Sequence, residues 1–289
     1  MSTPHDVLSR RPVVVGVDGT DAGLLAVDVA VAEAHRRGRP LDVVHAFIWP
    51  LFRVSLDPPP GAPASAGLRN GAQDIVDQGV ERARQVEPHV PVHGHVVTGR
   101  TLDVLVDRSH GAALVVIADR GLGPVTGLVV GSVAVGLAAY GRCPVLVVRG
   151  DAHAEGPVVV GVDGSPANVP ALDHALDAAA LRGVPLRAVY ARRGPSGPAV
   201  DDAGAVAHRV TAWIAQRRQG RPDVPVEPVV VDGDPRRVLL DASAHAGLLV
   251  VGSRGRGGFA GLLLGSVSQA VLHHAACPVT VVPAPRPSR

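Results

Sequence analysis

Lysine is absent from this chain of 289 residues, in which all 28 basic residues are arginine. A P-loop needs a Gly-Lys-Ser/Thr sequence to hold phosphate, and Schiff-base enzymes and kinases need a reactive or phosphate-pairing lysine. The absence of lysine therefore excludes these three kinds of chemistry.

Runs of charge are also absent. The formal net charge is +2, and the positive charges are spread over both halves of the chain. This distribution does not indicate a nucleic-acid-binding surface. Residues 1–12 lack the apolar core of a secretory signal, which predicts that the chain stays in the cytoplasm.

One long stretch carries no charge at all, from Gly121 to Gly141. Glycine and proline are frequent at its beginning, and the matching stretch of the second half contains Gln269, His273 and His274. A membrane-spanning helix needs about 20 consecutive apolar residues. We therefore expect no membrane span here.

Two segments of the chain have nearly the same sequence. Val13–Thr20 reads VVVGVDGT and Val158–Ser165 reads VVVGVDGS. Further along, Gly131-Ser132-Val133 matches Gly265-Ser266-Val267. The offset is 145 residues at the first match (158 minus 13) and 134 at the second (265 minus 131), so insertions lie in the middle of the halves. Such a duplication indicates a repeated architecture.

The duplication predicts two similar domains, over 1–150 and 156–289, each of ordinary domain size. The chain has two cysteines, Cys143 and Cys277, and they occupy the same position in the two copies. Equivalent positions in separate domains favour two buried thiols over a disulfide.

Each half alternates short valine-rich runs with longer stretches of helical spacing. This pattern predicts an α/β fold of two tandem Rossmann-like domains, each a five-stranded parallel sheet of order 3-2-1-4-5 with helices on both faces. A helix is predicted from Asp21 to Arg37, with Leu24, Leu25 and Val27 in its apolar stripe and Gly38 as its end. The strands are expected near 13–18, 41–47, 92–98, 113–118 and 145–149, and near 158–163, 186–191, 226–232, 248–252 and 279–283.

A sheet of this order binds ligands where the strand order reverses, at the carboxyl ends of its first and fourth strands. The first strand ends in Asp18 or Asp163, followed by glycine and a hydroxyl residue. In the second half the fourth strand runs into Gly252-Ser253-Arg254-Gly255, and Gly265-Ser266 then opens a helix. Glycines leave N–H groups bare, and a helix N-terminus carries about half a positive charge, so phosphate is favoured there. The facing aspartate suits a ribose hydroxyl.

These residues resemble the signature of the universal stress proteins in their ATP-binding branch, which is Gly, two residues, Gly, nine residues, then Gly-Ser or Gly-Thr. The second half has this pattern in full as Gly252, Gly255, Gly265 and Ser266, with Asp163 in place. The resemblance covers essentially the whole chain as a tandem pair. It implies ATP as the ligand, alone or with Mg²⁺, and a nucleotide-dependent sensor or regulator of stress or growth state.

In that family the aspartate of strand one contacts the nucleoside, the end of strand two meets adenine, and the glycine loop holds the phosphates. The resemblance implies the following binding residues in the second half: Gly161, Asp163, Ala191, Gly252, Arg254, Gly255, Gly265, Ser266 and Val267. In the first half it implies Asp18, Ala46, Gly121, Gly131 and Ser132.

The family also implies a homo-oligomer or an internal dimer, since its last strands often pair across a two-fold axis. In this chain those strands are Val145–Val148 and Val279–Val282. The protein partner and the stress signal are not readable from the sequence, and ATP is not distinguished from a relative such as a cyclic nucleotide.

The first half departs from the signature, because Ala118-Asp119 stands where the second half has Gly252-Ser253. An alanine takes the positive φ of a glycine only at a strain of roughly 1 kcal/mol or more. Asp119 also places a carboxylate near the expected phosphates. A repulsion of about 1.4 kcal/mol weakens binding about tenfold, so we expect the second domain to bind ATP more tightly than the first.

Structural roles compete with ligand binding at several of these positions. Ser132 and Ser266 are also good N-cap residues for their helices. Asp18 and Asp163 are suited to Asx-type hydrogen bonds with the loops that follow them. Arg254 is equally compatible with a solvated loop position.

The histidines give no metal or catalytic signature. His93 and His95 share one strand face, and His273-His274 lie at a helix end that favours positive charge. No Ser-His-Asp or Cys-His arrangement can be assembled from matching repeat positions, so no catalytic residue is assigned.

Two other functions compete with the sensor. A slow ATPase or nucleotidyl transferase needs an activated water or acceptor beside the γ-phosphate, and no residue for that role is evident. A tandem scaffold with degenerate sites is favoured by Ala118 and Asp119 and opposed by the intact signature of the second half.

Overall fold

The computed structural model of the chain divides into two compact units. The first holds nearly all of the residues before Arg149, and the second holds those from Arg149 onward. The structure describes residues 11–48, 68–119, 130–149, 156–192, 203–218, 221–255 and 263–285.

The first unit is a parallel sheet whose strands follow the order β3-β2-β1-β4-β5. Its strands are β1 (Val13–Gly16), β2 (Leu41–Phe47), β3 (Val92–Thr98), β4 (Leu114–Ala118) and β5 (Val145–Val148). Its helices are α1 (Asp21–Arg36), α2 (Leu68–Val86), α3 (Thr101–Ser109) and α4 (Ser132–Tyr140).

The second unit repeats this topology, with parallel strands in the order β8-β7-β6-β9-β10. Its strands are β6 (Val158–Gly161), β7 (Leu186–Arg192), β8 (Val226–Asp232), β9 (Leu248–Gly252) and β10 (Val279–Val282). A 3₁₀ turn, Pro166–Asn168, precedes helix α5 (Val169–Arg182), and the remaining helices are α6 (Ala203–Arg217), α7 (Pro235–Ser243) and α8 (Ser266–His274).

The predicted fold class and strand order are confirmed in both units. Right-handed crossovers that leave the first strand in opposite directions place helices on opposite faces of each sheet. The two first strands are two residues shorter than predicted, because the chain leaves the sheet after Gly16 and Gly161. The aspartates that follow therefore lie just beyond the carboxyl edge of the sheet, where the strand order reverses.

The central strands are buried along nearly their whole length, and in β1, β6 and β9 only Gly16 and Gly161, at the ends of β1 and β6, are half-buried. The valines of β1 and β6 and the leucines and valines of β9 are at most 3% exposed. Strands covered by helices on both faces have such continuous apolar runs. The central strands consequently fix the backbone on which the loops at the carboxyl edge are built.

Helix α1 begins and ends close to the predicted positions, and Gly38 takes the left-handed φ of 59° expected of a glycine at a helix end. The predicted apolar stripe is partly wrong, because Leu25 is 60% exposed. The buried face instead runs through small residues such as Ala26, Ala30 and Ala34. Alanines let the helix approach the sheet closely, so Leu25 is left on the outer face.

None of the described helices is both long enough and apolar enough to cross a bilayer. The uncharged stretch Gly121–Gly141 contributes helix α4, and its first part, 121–129, lies outside the described residues.

Both cysteines are buried as predicted, and each is described as a free thiol. Burial raises the pKa of Cys143 and of Cys277 from the ordinary value of 9.0 to about 12. We expect neither thiol to react with Ellman's reagent at pH 8 in the native protein, and both to react in concentrated guanidinium chloride. Rapid labelling of one or both native thiols at the rate of a free cysteine would contradict this burial.

The same shift has a consequence for stability. Between pH 9.0 and about 12 the thiols ionise in the unfolded chain and stay protonated in the folded protein. Their contribution to the free energy of unfolding is therefore complete below pH 9.0 and is lost as the pH rises above it. Chemical denaturation at pH 8 and pH 10 measures the loss, and replacing both cysteines with alanine should reduce it.

Candidate functional site

The first strand of the second unit ends in a tight turn that orients the carboxylate of Asp163. Gly164 has a φ of 72°, in the left-handed region that favours glycine. This conformation lets the backbone N–H of Ser165 donate to Oδ1 of Asp163 at 2.8 Å. The Asx-type hydrogen bond considered from the sequence is therefore present, and it uses one carboxylate oxygen.

The second carboxylate oxygen of Asp163 faces the glycine loop that follows β9. A Cβ built on Gly255 would lie 2.8 Å from Oδ2 of Asp163, closer than real Cβ atoms approach other atoms. Only a glycine fits at this point while the carboxylate stays in place. The structure thus brings together two residues that are 92 positions apart in the chain (255 minus 163).

Backbone hydrogen bonds hold the start of the glycine loop. The N–H of Ser253 donates to the carbonyl of Val282 at 2.7 Å, and the N–H of Gly265 donates to the carbonyl of Ser253 at 2.8 Å. The hydroxyl of Ser268 donates to the carbonyl of Gly252 at 2.6 Å. Both ends of the loop are therefore attached to the sheet and to helix α8.

Gly252 lies in a crowded position, but its backbone conformation does not require a glycine. Its φ is not positive, so the strain predicted for Ala118 at the matching position of the first unit is wrong. A Cβ on Gly252 would lie 3.1 Å from the carbonyl oxygen of Arg254, which is crowded but not forbidden. Of the two differences between the halves, the charge of Asp119 is the one that still favours weaker phosphate binding in the first unit.

The N-caps of α4 and α8 are the glycines Gly131 and Gly265, which have extended backbone and no side-chain cap. The expectation that Ser132 and Ser266 are N-caps is wrong, because each is the first residue inside its helix, and both are exposed. Val267 follows as a half-buried residue. First-turn N–H groups that no side chain caps can donate to an anion.

A buried asparagine holds the end of β6, and it was not among the predicted site residues. The amide nitrogen of Asn168 donates to the carbonyl of Gly161 at 3.1 Å, and its oxygen accepts from the N–H of Asp163 at 3.4 Å. Asn168 stands where the first half has Gly23, since the offset of 145 applies here. The replacement of glycine by asparagine at this position of the repeat was the signal in the sequence that could have indicated Asn168.

Two predicted residues lie apart from the loop. A Cβ on Gly161 would lie 2.8 Å from Cδ1 of Leu239, so this glycine lets α7 pack against β6. Ala191 lies on β7 two residues beyond Val189, which is in register with Gly161. Ala191 is half-buried and lies toward the same carboxyl edge as Asp163.

Two buried polar atoms near the turn and the loop have no hydrogen-bond partner within the described residues, Oγ of Ser165 and Nε of Arg254. Arg254 is half-buried, and its role stays a prediction. Buried polar atoms without a partner are uncommon in proteins and call for an explanation such as a ligand. A bare glycine loop, uncapped amides, an arginine and a hydroxyl fit a phosphorylated ligand.

The first unit has the same turn with different hydrogen bonding. Gly19 has a φ of 81°, and Oδ1 of Asp18 accepts from both the N–H and the hydroxyl of Thr20, at 3.1 and 2.6 Å. The Thr20 hydroxyl also accepts from the N–H of Gly23 at 3.1 Å and so caps helix α1. In the second unit the hydroxyl at the matching position, that of Ser165, has no hydrogen-bond partner among the described residues, whereas the Thr20 hydroxyl both donates and accepts.

The loop after the fourth strand has the same backbone hydrogen bond in both units. The N–H of Gly131 donates to the carbonyl of Asp119 at 2.8 Å, as Gly265 does to Ser253. Ala46 is half-buried near the carboxyl end of β2, and Gly121 lies outside the described residues.

Within the described ranges, no group of three or more histidine, cysteine, aspartate or glutamate side chains is placed to hold a metal ion. His93 and His95 each lie near Asp42, with ring nitrogens 3.4 and 3.6 Å from its Oδ1. These contacts link β3 to β2 at the side of the sheet away from the reversal.

Comparison with known proteins gives one consistent family. The family model described as "Universal stress protein family" matches residues 9–149 and 156–283. Universal stress protein Rv2005c from Mycobacterium tuberculosis (strain ATCC 25618 / H37Rv) is 37% identical over 299 residues, which cover 97% of this chain and 99% of that protein. Universal stress protein Rv2623 from the same strain is 34% identical over 295 residues, with coverages of 94% and 96%.

A solved structure that aligns with nearly the whole chain has the same fold. A universal stress protein from Archaeoglobus fulgidus DSM 4304 aligns with 98% of this chain and 100% of its own, with a TM-score of 0.70 and 16% identity. Two others align with part of this chain and 98% of their own. One is a universal stress protein in complex with cAMP (49% of this chain, 26% identity, TM-score 0.39), and the other is from Archaeoglobus fulgidus in complex with dAMP (48%, 23%, 0.36).

Both halves match the same family model, and curated relatives match nearly the full length at 34–37% identity. The chain therefore belongs to the universal stress protein family.

Proposed function

We propose that the second unit binds ATP at the carboxyl edge of β6 and β9, and that the bound nucleotide regulates the protein's interactions. The observation that carries this proposal is the approach of Oδ2 of Asp163 to Gly255. The carboxylate lies against the loop because position 255 has no side chain. A nucleoside needs a polar anchor for its sugar, and a phosphate chain needs bare backbone donors. Both are adjacent here.

Each residue has a role that follows from its chemistry. The carboxylate of Asp163 accepts hydrogen bonds from a ribose hydroxyl or the base. The first-turn N–H groups of Ser266 and Val267 donate hydrogen bonds to phosphate oxygens, and the partial positive charge at the helix N-terminus favours the anion. Arg254 supplies a guanidinium beside the loop, and Ala191 offers an apolar surface to the base. Mg²⁺, when bound with ATP, reduces the repulsion between the phosphates.

Family membership supports an adenine nucleotide as the ligand, because two members have solved structures in complex with cAMP and with dAMP. The full signature of the second unit, with two glycines spaced before Gly265-Ser266, favours a chain of phosphates over a single one. Binding without turnover is the proposed activity, since the site residues named above position the nucleotide and none has been assigned to activate a water.

We expect the full-length protein, purified without added nucleotide, to retain an adenine nucleotide. The ratio of absorbance at 260 nm to that at 280 nm should be high, since the chain has only two Trp and two Tyr. Denaturation followed by ion-exchange chromatography identifies the compound. If ATP is released, incubation of the native protein for hours should leave it unhydrolysed. Progressive conversion to ADP would favour the slow ATPase, and failure to bind added ATP would contradict the proposal.

Replacing Gly255 with valine should abolish ATP binding at the second site. The new side chain would displace the carboxylate of Asp163, which lies 2.8 Å from the Cβ position. Isothermal titration with ATP and Mg²⁺ measures the effect, and we expect at least a hundredfold loss of affinity, which corresponds to about 2.7 kcal/mol.

The matched control is Gly111→Val, a loop glycine whose Cβ position has no atom within 4 Å. This variant should bind ATP like the original protein. Equal losses in the two variants would indicate a general effect on the fold, and unchanged binding in Gly255→Val would contradict the proposed site.

In the Gly255→Val background, ATP binding reports on the first unit alone. We expect weaker binding there than at the second site of the unmodified chain. Adding Asp119→Ser, the residue found at the matching position of the second unit, should tighten this binding about tenfold by removing a repulsion of about 1.4 kcal/mol.

The control for charge is Asp107→Ser, because Asp107 is an exposed residue at the end of α3, toward the opposite edge of the sheet. This change also removes one negative charge but should leave ATP binding unaltered. An equal gain in both variants would show that only net charge matters.

A further inference from the structure

The second unit contains a cavity away from the nucleotide site. It has a volume of about 350 Å³ and lies between helix α6 and the outermost strand β8. This volume lies in the usual range for small-molecule sites, about 300–1,000 Å³. Its lining is mostly apolar and includes Thr211, Ile214, Arg218, Pro222, Val226 and Pro228.

The matching region of the first unit is tightly closed. An offset of 134 residues (226 minus 92) places β3 on β8, and Gly94 then corresponds to Pro228. A Cβ on Gly94 would lie 2.4 Å from Cγ1 of Val76 on α2, so the helix contacts the bare strand backbone. Val92, beside it, is buried.

Proline at this position prevents the same approach in the second unit. Pro228 carries a ring where Gly94 has only hydrogen, so a side chain occupies the position at which α2 contacts the bare backbone of β3 in the first unit. Val226 is accordingly half-buried, whereas its counterpart Val92 is buried. Proline is tolerated in β8 because β8 is an edge strand. The cavity is thus a specific difference between the two repeats.

A guanidinium without an acidic partner stands at this cavity. Arg217 pairs with Asp173 at 3.9 Å, and Arg221 pairs with Asp177. Arg218, between them, donates to the carbonyl of Pro222, and no carboxylate of the described residues forms an ion pair with it. An unpaired positive charge beside apolar walls is complementary to an anion with an apolar body.

We propose that this cavity binds a small molecule with an apolar chain and one carboxylate, with the chain between Ile214, Val226 and Pro228 and the carboxylate at Arg218. The site is separate from the nucleotide loop and its occupancy does not depend on the nucleotide proposal. It makes the second unit able to respond to two unlike ligands.

Octanoate is a suitable probe of this site, and isoleucine methyl groups are suitable reporters. The chain has four isoleucines, and three of them, Ile48, Ile75 and Ile117, belong to the first unit. In NMR spectra of the full-length protein labelled with ¹³C at the isoleucine δ1 methyls, octanoate should shift the Ile214 signal and leave the other three unchanged. Saturation is expected at a concentration on the order of 1 mM.

Two variants test the cause. Pro228→Gly, which restores the residue of the first unit, should remove the octanoate-dependent shift of Ile214. Arg218→Gln should weaken octanoate binding about tenfold and leave the binding of octan-1-ol unchanged. The matched control is Arg84→Gln, at the corresponding exposed position of α2, which should bind octanoate like the unmodified protein.

Several results would overturn the proposal. These are the absence of an Ile214 shift, equal shifts of all four methyls, equal affinities for octanoate and octan-1-ol, or equal effects of Arg218→Gln and Arg84→Gln. If the Ile214 signal shifts with increasing protein concentration in the absence of octanoate, the cavity is instead a contact site for a second copy of the chain. Because Arg218→Gln changes a partly exposed side chain, its result stands even if Pro228→Gly fails to fold.

Discussion

The approach of the Asp163 carboxylate to Gly255 is the constraint on which the candidate site depends. It exists because β6 and β9 are parallel neighbours whose carboxyl ends lie at one edge of the sheet, so the turn after one strand faces the loop after the other. The left-handed glycine after Asp163 aims one carboxylate oxygen at Ser165, and the other then faces the loop. A side chain at position 255 would have to displace the carboxylate of Asp163, so this arrangement depends on the glycine.

The duplicated architecture shows how two copies of one fold can keep a backbone and change its chemistry. The turn after the first strand has the same shape in both units, but Thr20 completes the helix cap in the first, whereas Asn168 secures the strand end in the second. The Ser165 hydroxyl is thereby left without a partner among the described residues. Exchanging which side chain satisfies the backbone changes the hydrogen bonding of the turn without altering the fold.

Much of the fold was predictable because it follows from patterns within short segments. Valine runs predicted the buried strands, and the repeated Asp-Gly turn predicted the ends of the two first strands to within two residues. Features that depend on packing between segments were not predictable. The exposure of Leu25 follows from alanines on the facing side of α1, and the non-positive φ of Gly252 became evident only with the loop in place. Asn168 was missed because both of its partners are backbone groups, the N–H of Asp163 and the carbonyl of Gly161, and such hydrogen bonds are not evident from a pattern of side chains.

The most direct measurement of the central claim is a crystal structure of the full-length chain grown with a non-hydrolysable ATP analogue and Mg²⁺. We predict that the nucleotide lies in the second unit, with its sugar or base hydrogen-bonded to the carboxylate of Asp163 and its phosphates on the N–H groups at the start of α8. A nucleotide bound elsewhere, with the carboxylate of Asp163 still against Gly255 and still accepting from Ser165, would contradict the claim.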